Sequence, residues 1–175
     1  MSGSEAIGLE SGTVRVVDYD PRWPVLYAAE ARRLAEATAG LGLVFEHVGS
    51  TSIPGMCAKP IIDIASGYDD PARLPEYIAA ISAAGYTHRG EQGVPGREFF
   101  RRGDPRAWHV HLSWRQSREW RGKLRFRDRL RAEPGLHAEY AALKRRLAAQ
   151  YPFDRESYIS AKDPFIRSVL QEGGP

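Results

Sequence analysis

His47-Val-Gly-Ser-Thr-Ser-Ile-Pro-Gly-Met-Cys-Ala-Lys-Pro-Ile-Ile-Asp63 is the stretch from which the fold is read. Residues 43–48 form an apolar run that reads as a strand and ends in the Gly49-Ser50 turn. A loop of small residues follows. A second apolar run, residues 60–65, then carries a single carboxylate, Asp63. A Gly-Ser turn at a strand end exposes backbone N–H groups and a hydroxyl, which together can cradle an anion. An acid inside an apolar strand must be paired, hydrogen-bonded, metal-bound or open to a cleft.

The pattern continues on both sides. Residues 13–17 alternate like a short strand, and Asp20 is placed to cap a helix with Pro21 at its first position. That helix offers Trp23, Leu26, Tyr27 and Leu34 to a core and stops near Gly40 or Gly42. Residues 72–84 repeat apolar side chains at helical spacing and end at Gly85. Three strand candidates follow, at 86–89, 97–102 and 107–114, the last two joined by a turn at Gly103-Asp104-Pro105. The remainder reads as helix: from Ser117 to about residue 131, from Pro134 through 149, and from Asp154 to about 171, with Pro164 expected to break or kink the last. Strands flanked by helices imply a mixed sheet with helical cover, an α+β arrangement.

Composition narrows the class. At 175 residues and 42% hydrophobic content the chain is long enough for one domain, expected over 13–171. The tips, residues 1–12 and 173–175, are expected to be mobile. A formal charge of +3 gives no reason of its own to expect a nucleic-acid partner. One cysteine, Cys57, excludes an internal disulfide and suits a reducing compartment. The first dozen residues lack the basic start and apolar run of a secretory signal, and no run approaches the length of a membrane span. A cytoplasmic protein acting on a small molecule is the expectation; the oligomeric state is not legible.

The central stretch resembles the GrpB family, a branch of the polymerase-beta-type nucleotidyltransferase superfamily. The resemblance rests on Gly49-Ser50-Thr51-Ser52-Ile53-Pro54-Gly55 followed by Ala58-Lys59-Pro60-Ile61-Ile62-Asp63-Ile64. It extends over 16–166 through Asp20-Pro21-Arg22-Trp23-Pro24, Pro95-Gly96-Arg97-Glu98-Phe99-Phe100-Arg101, His109-Val110-His111-Leu112 and Ala161-Lys162-Asp163-Pro164-Phe165-Ile166. It implies a nucleotidyltransferase-like mixed β-sheet flanked by helices, with further helices at the C-terminus. In that superfamily the Gly-Ser turn precedes a strand with two carboxylates at i and i+2. Period-two geometry puts them on one face, where they hold two divalent metals that clamp a nucleoside triphosphate. Here the strand reads Asp63-Ile64-Ala65, so one carboxylate is missing. Where a later strand would supply a third acid, the candidates are His109 and His111.

One carboxylate and two imidazoles suit two magnesium ions poorly, because hard cations need several oxygen ligands. The set suits proton transfer near neutral pH. The candidate catalytic residues are therefore Asp63, His109 and His111, with Lys59 or Glu98 as complementary proton carrier. His47, Gly49, Ser50, Thr51, Ser52, Arg97 and Arg101 are the candidate substrate-binding residues. No metal ligand is assigned and no cofactor is expected; magnesium or manganese belongs to the alternative below.

Three functions are compatible with these residues. The first is a repurposed cleft performing metal-independent acid–base chemistry on a small organic metabolite by dehydration, conjugate addition or cyclisation. The second is a metal-dependent nucleotidyltransferase, favoured by the Gly-Ser turn, Asp63 and Lys59 and opposed by Ala65. The third is a non-catalytic nucleotide- or ligand-binding module. Individual residues also have plainer readings. Asp63 can simply hold the Gly-Ser turn, the histidines can be half-buried strand residues or join Asp63 around a transition metal, and the hydroxyls can be turn residues. Arg118, Arg121, Arg125 and Arg129 fall on one helical face and read as a solvated face before a nucleic-acid stripe.

Overall fold

The computed structural model describes residues 7–171. Of the tips expected to be mobile, residues 1–6 and 173–175 lie outside the described residues. Residues 7–12 differ from a free tail: Gly8 N donates to Pro60 O at 2.7 Å, Leu9 N to Arg106 O at 3.0 Å, and Leu9 is buried.

The first helix starts two residues later than expected: Arg22 is its N-cap, without a side-chain cap, Pro24 lies in its first turn, and Asp20 instead accepts from the backbone N–H of Arg22 at 2.9 Å. Helix α1 runs Trp23–Ala37. Strand β1 (Val44–Val48) leads through a 3-10 turn at Ser50–Ser52 and the loop to β2 (Ile62–Tyr68). Helix α2 (Leu74–Ala83), strand β3 (Thr87–His88), β4 (Arg97–Arg102) and β5 (Trp108–Trp114) follow. Helices α3 (Arg118–Ala132), α4 (Pro134–Gln150) and α5 (Arg155–Gln171) complete the chain. The strand expected at 13–17 is reduced to a bridge between Val17 and Ala58. The expected break at Pro164 is absent, and α5 continues through it. No helix among the described residues is long and apolar enough to cross a membrane.

The five strands form one mixed sheet in the order β1-β2-β5-β4-β3, with only β2 and β5 parallel. Parallel neighbours need a long crossover; here it contains α2, β3 and β4. On one face Ile62, Ile64, Phe100, Val110 and Leu112 pack with Trp23, Leu34, Tyr77 and Ile81 of α1 and α2 into the main core. The other face carries the alternate residues. Val48 and Ala65 pack there against Trp120 of α3, and Ile53 and Met56 of the loop pack against Leu130 and Tyr140 of α3 and α4. The second face therefore meets the C-terminal helices, and any polar residue of β2 or β5 on it lies between the two layers.

A buried acid secures the first layer. Glu30 of α1 is 6% exposed, accepts from Tyr86 Oη at 2.8 Å, and pairs with Arg33 and Arg102 at 2.6 Å each. It ties α1 to β4 and to the end of α2. Truncating it leaves two arginines and a phenol without their acceptor. Glu30→Ala is expected to lower unfolding stability by about 3 kcal/mol, read from urea denaturation.

Gly49 secures the second. Its φ of 69° and ψ of −176° belong to backbone that side chains avoid. A Cβ at this position would sit 2.9 Å from Asp63 Oδ2 and 3.1 Å from Asp63 Cβ. The turn thus needs glycine for conformation and for room. Gly49→Ala is expected to cost about 2 kcal/mol by the same denaturation assay and to displace the Asp63 carboxylate; unchanged histidine resonances on β5 would contradict that displacement.

Candidate functional site

The β2–β5 register pairs Asp63 with His109 and Ala65 with His111. All four side chains emerge on the face toward the C-terminal helices. Asp63 Oδ1 receives both imidazoles, His111 Nε2 at 2.9 Å and His109 Nδ1 at 3.2 Å. The histidine side chains are 8% and 9% exposed, whereas Asp63 keeps 30% of its side chain accessible. Phe99 of β4, paired with His111, lies against both rings at centroid distances of 4.9 and 5.3 Å. The cluster is walled on one side and open on the other.

Burial raises the Asp63 carboxyl, but hydrogen bonds from His109 and His111 overcome this and hold it well below the usual carboxylate range. Burial lowers both imidazoles against the pull of Asp63; His111 is pushed down to about 4, with Lys123 adding to the effect. At neutral pH the group is therefore one carboxylate and two neutral imidazoles. An acceptor-only carboxylate requires an N–H from each ring. This places the proton on Nδ1 of His109 and on Nε2 of His111. His111 Nδ1 is sealed in the interior without a partner, while His109 Nε2 has no protein partner and is not among the sealed atoms. The free lone pair of the site thus belongs to His109.

The three ligand atoms lie within 4.8 Å of one another, a set that a transition metal can take. It does not suit the paired magnesium ions implied by the superfamily, since Ala65 leaves only one carboxylate. For a metal on His111 Nε2, the proton would move to Nδ1, which is buried with no acceptor within hydrogen-bond reach. The hydrogen-bonded arrangement leaves no buried N–H unsatisfied and is the better fit.

Other candidate residues divide between the faces. Glu98 is paired across the sheet with Leu112, and its carboxylate binds His88 Nε2 at 2.6 Å. It is therefore on the far face from Asp63, a correction to its expected role as proton carrier. His47 also faces away: it stacks on Tyr27 at 4.5 Å and bonds Thr51 Oγ1 at 3.0 Å, which makes it a support of the turn. Ser52 Oγ donates to Gly49 O at 2.6 Å, and Ser50 contacts the Tyr140 hydroxyl. Arg97 shares the site face but lies over Phe99 and donates to Glu91 O and Gln92 O. Arg101 pairs in register with His109.

Lys59 does reach the site. Its Nζ stands 5.4 Å from the Tyr158 ring centroid, its charge acts on His109, and burial lowers it to about 8. Sequence reading missed its neighbours. Lys144 of α4 donates to Cys57 O, lies 4.7 Å from the Tyr140 ring and is lowered to about 7 by burial. Lys162 of α5 lies 4.4 Å from the Tyr158 ring and is held well below the ordinary lysine range by burial. The signal available was Lys144 on the same helical face as Tyr140 and Leu147, a cation at a core position. The arginines of α3 mostly hold protein: Arg127 binds Glu46 and His47 O, Arg131 binds Ser52 O, and Arg129 binds Glu133 and Val169 O.

Known proteins share the fold. A crystal structure of the conserved protein GrpB from Enterococcus faecalis superposes with a TM-score of 0.82 at 33% identity, covering 90% of this chain and 96% of that one. The Cid1 poly(U) polymerase superposes at TM-score 0.53 and 11% identity over 77% of this chain and 44% of its own, a likeness of fold alone. The UPF0157 protein YqkA of Bacillus subtilis is 37% identical over 157 residues, 89% of this chain; the chain spans 46% of that relative's length. The family profile described as GrpB protein matches residues 13–172. On a nucleotidyltransferase-like fold, this chain belongs to the GrpB family.

Proposed function

We propose that this protein is an enzyme that transfers protons on a small organic metabolite, without a metal or redox cofactor, in a dehydration, conjugate addition or cyclisation. The observation that carries this reading is the Asp63–His109 bond through Nδ1, which leaves Nε2 of a neutral imidazole open as a base. Asp63 orients the ring, fixes its tautomer and offsets the charge of the imidazolium that forms on proton uptake. His111 is a positioning residue: it holds the same carboxylate oxygen from the other side.

In such a reaction His109 Nε2 takes a proton from the substrate. The released electron pair either forms a double bond as a leaving hydroxyl departs, or adds to an acceptor carbon. The departing hydroxyl or the product carbanion is then protonated by His109 or by Lys59. Lys59 is a suitable carrier because burial brings its ammonium near neutrality. A cytoplasmic setting accompanies this reading, supported by one buried free thiol, Cys57. Nucleotidyl transfer draws support from the Gly49-Ser50 turn beside Asp63, yet the single carboxylate is a weak platform for it.

The test is proton exchange in D2O. Purified protein is incubated with a panel of hydroxy-, keto- and unsaturated acids and their phosphate esters, and loss of substrate C–H signal is followed by NMR. Exchange or turnover is expected with a member of the panel. His109→Gln and Asp63→Asn should each reduce it by about 10²- to 10⁴-fold, and His111→Gln by less. The base must be neutral to act and its pKa is lowered from 6.5, so the acid limb of kcat/KM should fall below pH 6.5. Exchange unaffected in His109→Gln, or magnesium-dependent nucleotidyl transfer in place of exchange, would refute the assignment.

A further inference from the structure

Lys59 precedes β2, Lys144 projects from α4 and Lys162 from α5; their charges act on one another, and Asp63 acts on Lys59 and Lys162. Tyr158 receives two of the ammonium groups, at 5.4 and 4.4 Å from its ring centroid. Lys144 is 1% exposed and bonds a backbone carbonyl, which accepts its proton without cancelling its charge. None of the three makes an ion pair with a carboxylate among the described residues. Arg155, at the start of α5, and Arg106, before β5, add their charges to Lys59. Arg106 is 7% exposed, and its Nε and Nη2 are buried with no hydrogen-bond partner. Asp63 is the acid acting on this group, and both of its histidine bonds fall on one oxygen.

Aromatic rings stabilise ammonium groups but leave the charge in place. Concentrating cations in a partly buried pocket without counter-ions is unfavourable. A carboxylate would offset one of them, whereas a phosphate or pyrophosphate brings two or more charges and several acceptor oxygens. Building on the acid–base reading of the adjacent site, we propose that Lys59, Lys144, Lys162 and Arg106 form a subsite that holds a phosphate or pyrophosphate group of the substrate directly, with no bridging divalent metal. The cations then supply the charge neutralisation that a single carboxylate could not recruit through metal ions. Lys59 and Arg106 also act on His109, so the reacting carbon of the bound ester lies next to the base.

The subsite has a signature in the unliganded protein. The unfolded chain keeps its lysines protonated to about pH 10.5, whereas Lys144 releases its proton near 7 and Lys59 near 8 in the folded state. The unfolded state thus binds more protons between these values, and stability rises with pH across that window. The groups that set this behaviour are Asp63 on β2, Lys144, Arg145 and Tyr140 on α4, Arg155, Tyr158 and Lys162 on α5, and Cys57, Lys59 and Arg106 in the loops.

The experiment is thermal unfolding in EDTA with inorganic pyrophosphate, inorganic phosphate or acetate. Pyrophosphate at a hundred times its dissociation constant should raise Tm by about 5 to 10 °C, phosphate by less and acetate not at all. Lys162→Met should lose the pyrophosphate shift while its unliganded Tm at pH 7 stays at or above wild type, because an amine with no carboxylate partner is replaced by an apolar side chain. Arg106→Gln provides a second loss-of-binding variant. His109→Gln should retain the shift, which separates anion binding from proton transfer. The absence of a shift in EDTA, a shift that needs magnesium, or one that persists in both Lys162→Met and Arg106→Gln would overturn the proposal. If the shift stands but His109→Gln leaves proton exchange intact, only the acid–base reading falls.

Discussion

One carboxylate oxygen, Asp63 Oδ1, organises the second face of the sheet. It accepts an N–H from each of two imidazoles on the neighbouring parallel strand, and the facing backbone at Gly49 approaches too closely to admit a side chain. An ionised acid between a sheet and a helical layer survives only with such donors. The rest of the site follows from this requirement. The turn must contain glycine, β5 must run parallel to β2, and the histidines must be neutral donors. Phe99 then confines both rings from the adjacent strand.

The two layers contribute different chemistry. The sheet supplies an acid and bases in fixed register, where a hydrogen-bonded ladder allows little movement. The C-terminal helices supply cations, each placed by its helical position against an aromatic ring. Lysines are tolerated there because Tyr140 and Tyr158 offer ring faces and Cys57 a carbonyl. The sheet thus sets one carboxylate, Asp63, against Lys59 and Lys162, a separation of charge between the two layers.

The likeness to the Cid1 polymerase concerns the scaffold, and function resides in the site built on it. Ala65, two residues beyond Asp63, leaves β2 with a single carboxylate on this face and gives Trp120 an apolar surface to cover. Of the arginines read as a solvated face, Arg118 and Arg121 are exposed and Arg125 and Arg129 half-buried, with Arg129 bound to Glu133 and Val169 O. Arg127 binds the carbonyl of His47 near the end of β1 and Arg131 that of Ser52 in the turn, so α3 braces the turn from both sides of Gly49 and Ser50.

The sequence by itself determined the element order, because caps, glycines and apolar periodicity are local signals. It also marked Asp63, His109 and His111, since an acid in an apolar strand and histidines at i and i+2 are conspicuous in one dimension. Only the tertiary structure decided which candidates share a space. Glu98 and His47 went to the opposite face because strand pairing fixes facing by register, which distant residues set. Lys144 and Lys162 came close to Lys59 because α4 and α5 pack on α3 and on the loop that leads into β2. The same register carried the decisive detail: pairing Asp63 with His109 left Nε2 of that histidine, and no other ring nitrogen of the cluster, free to act.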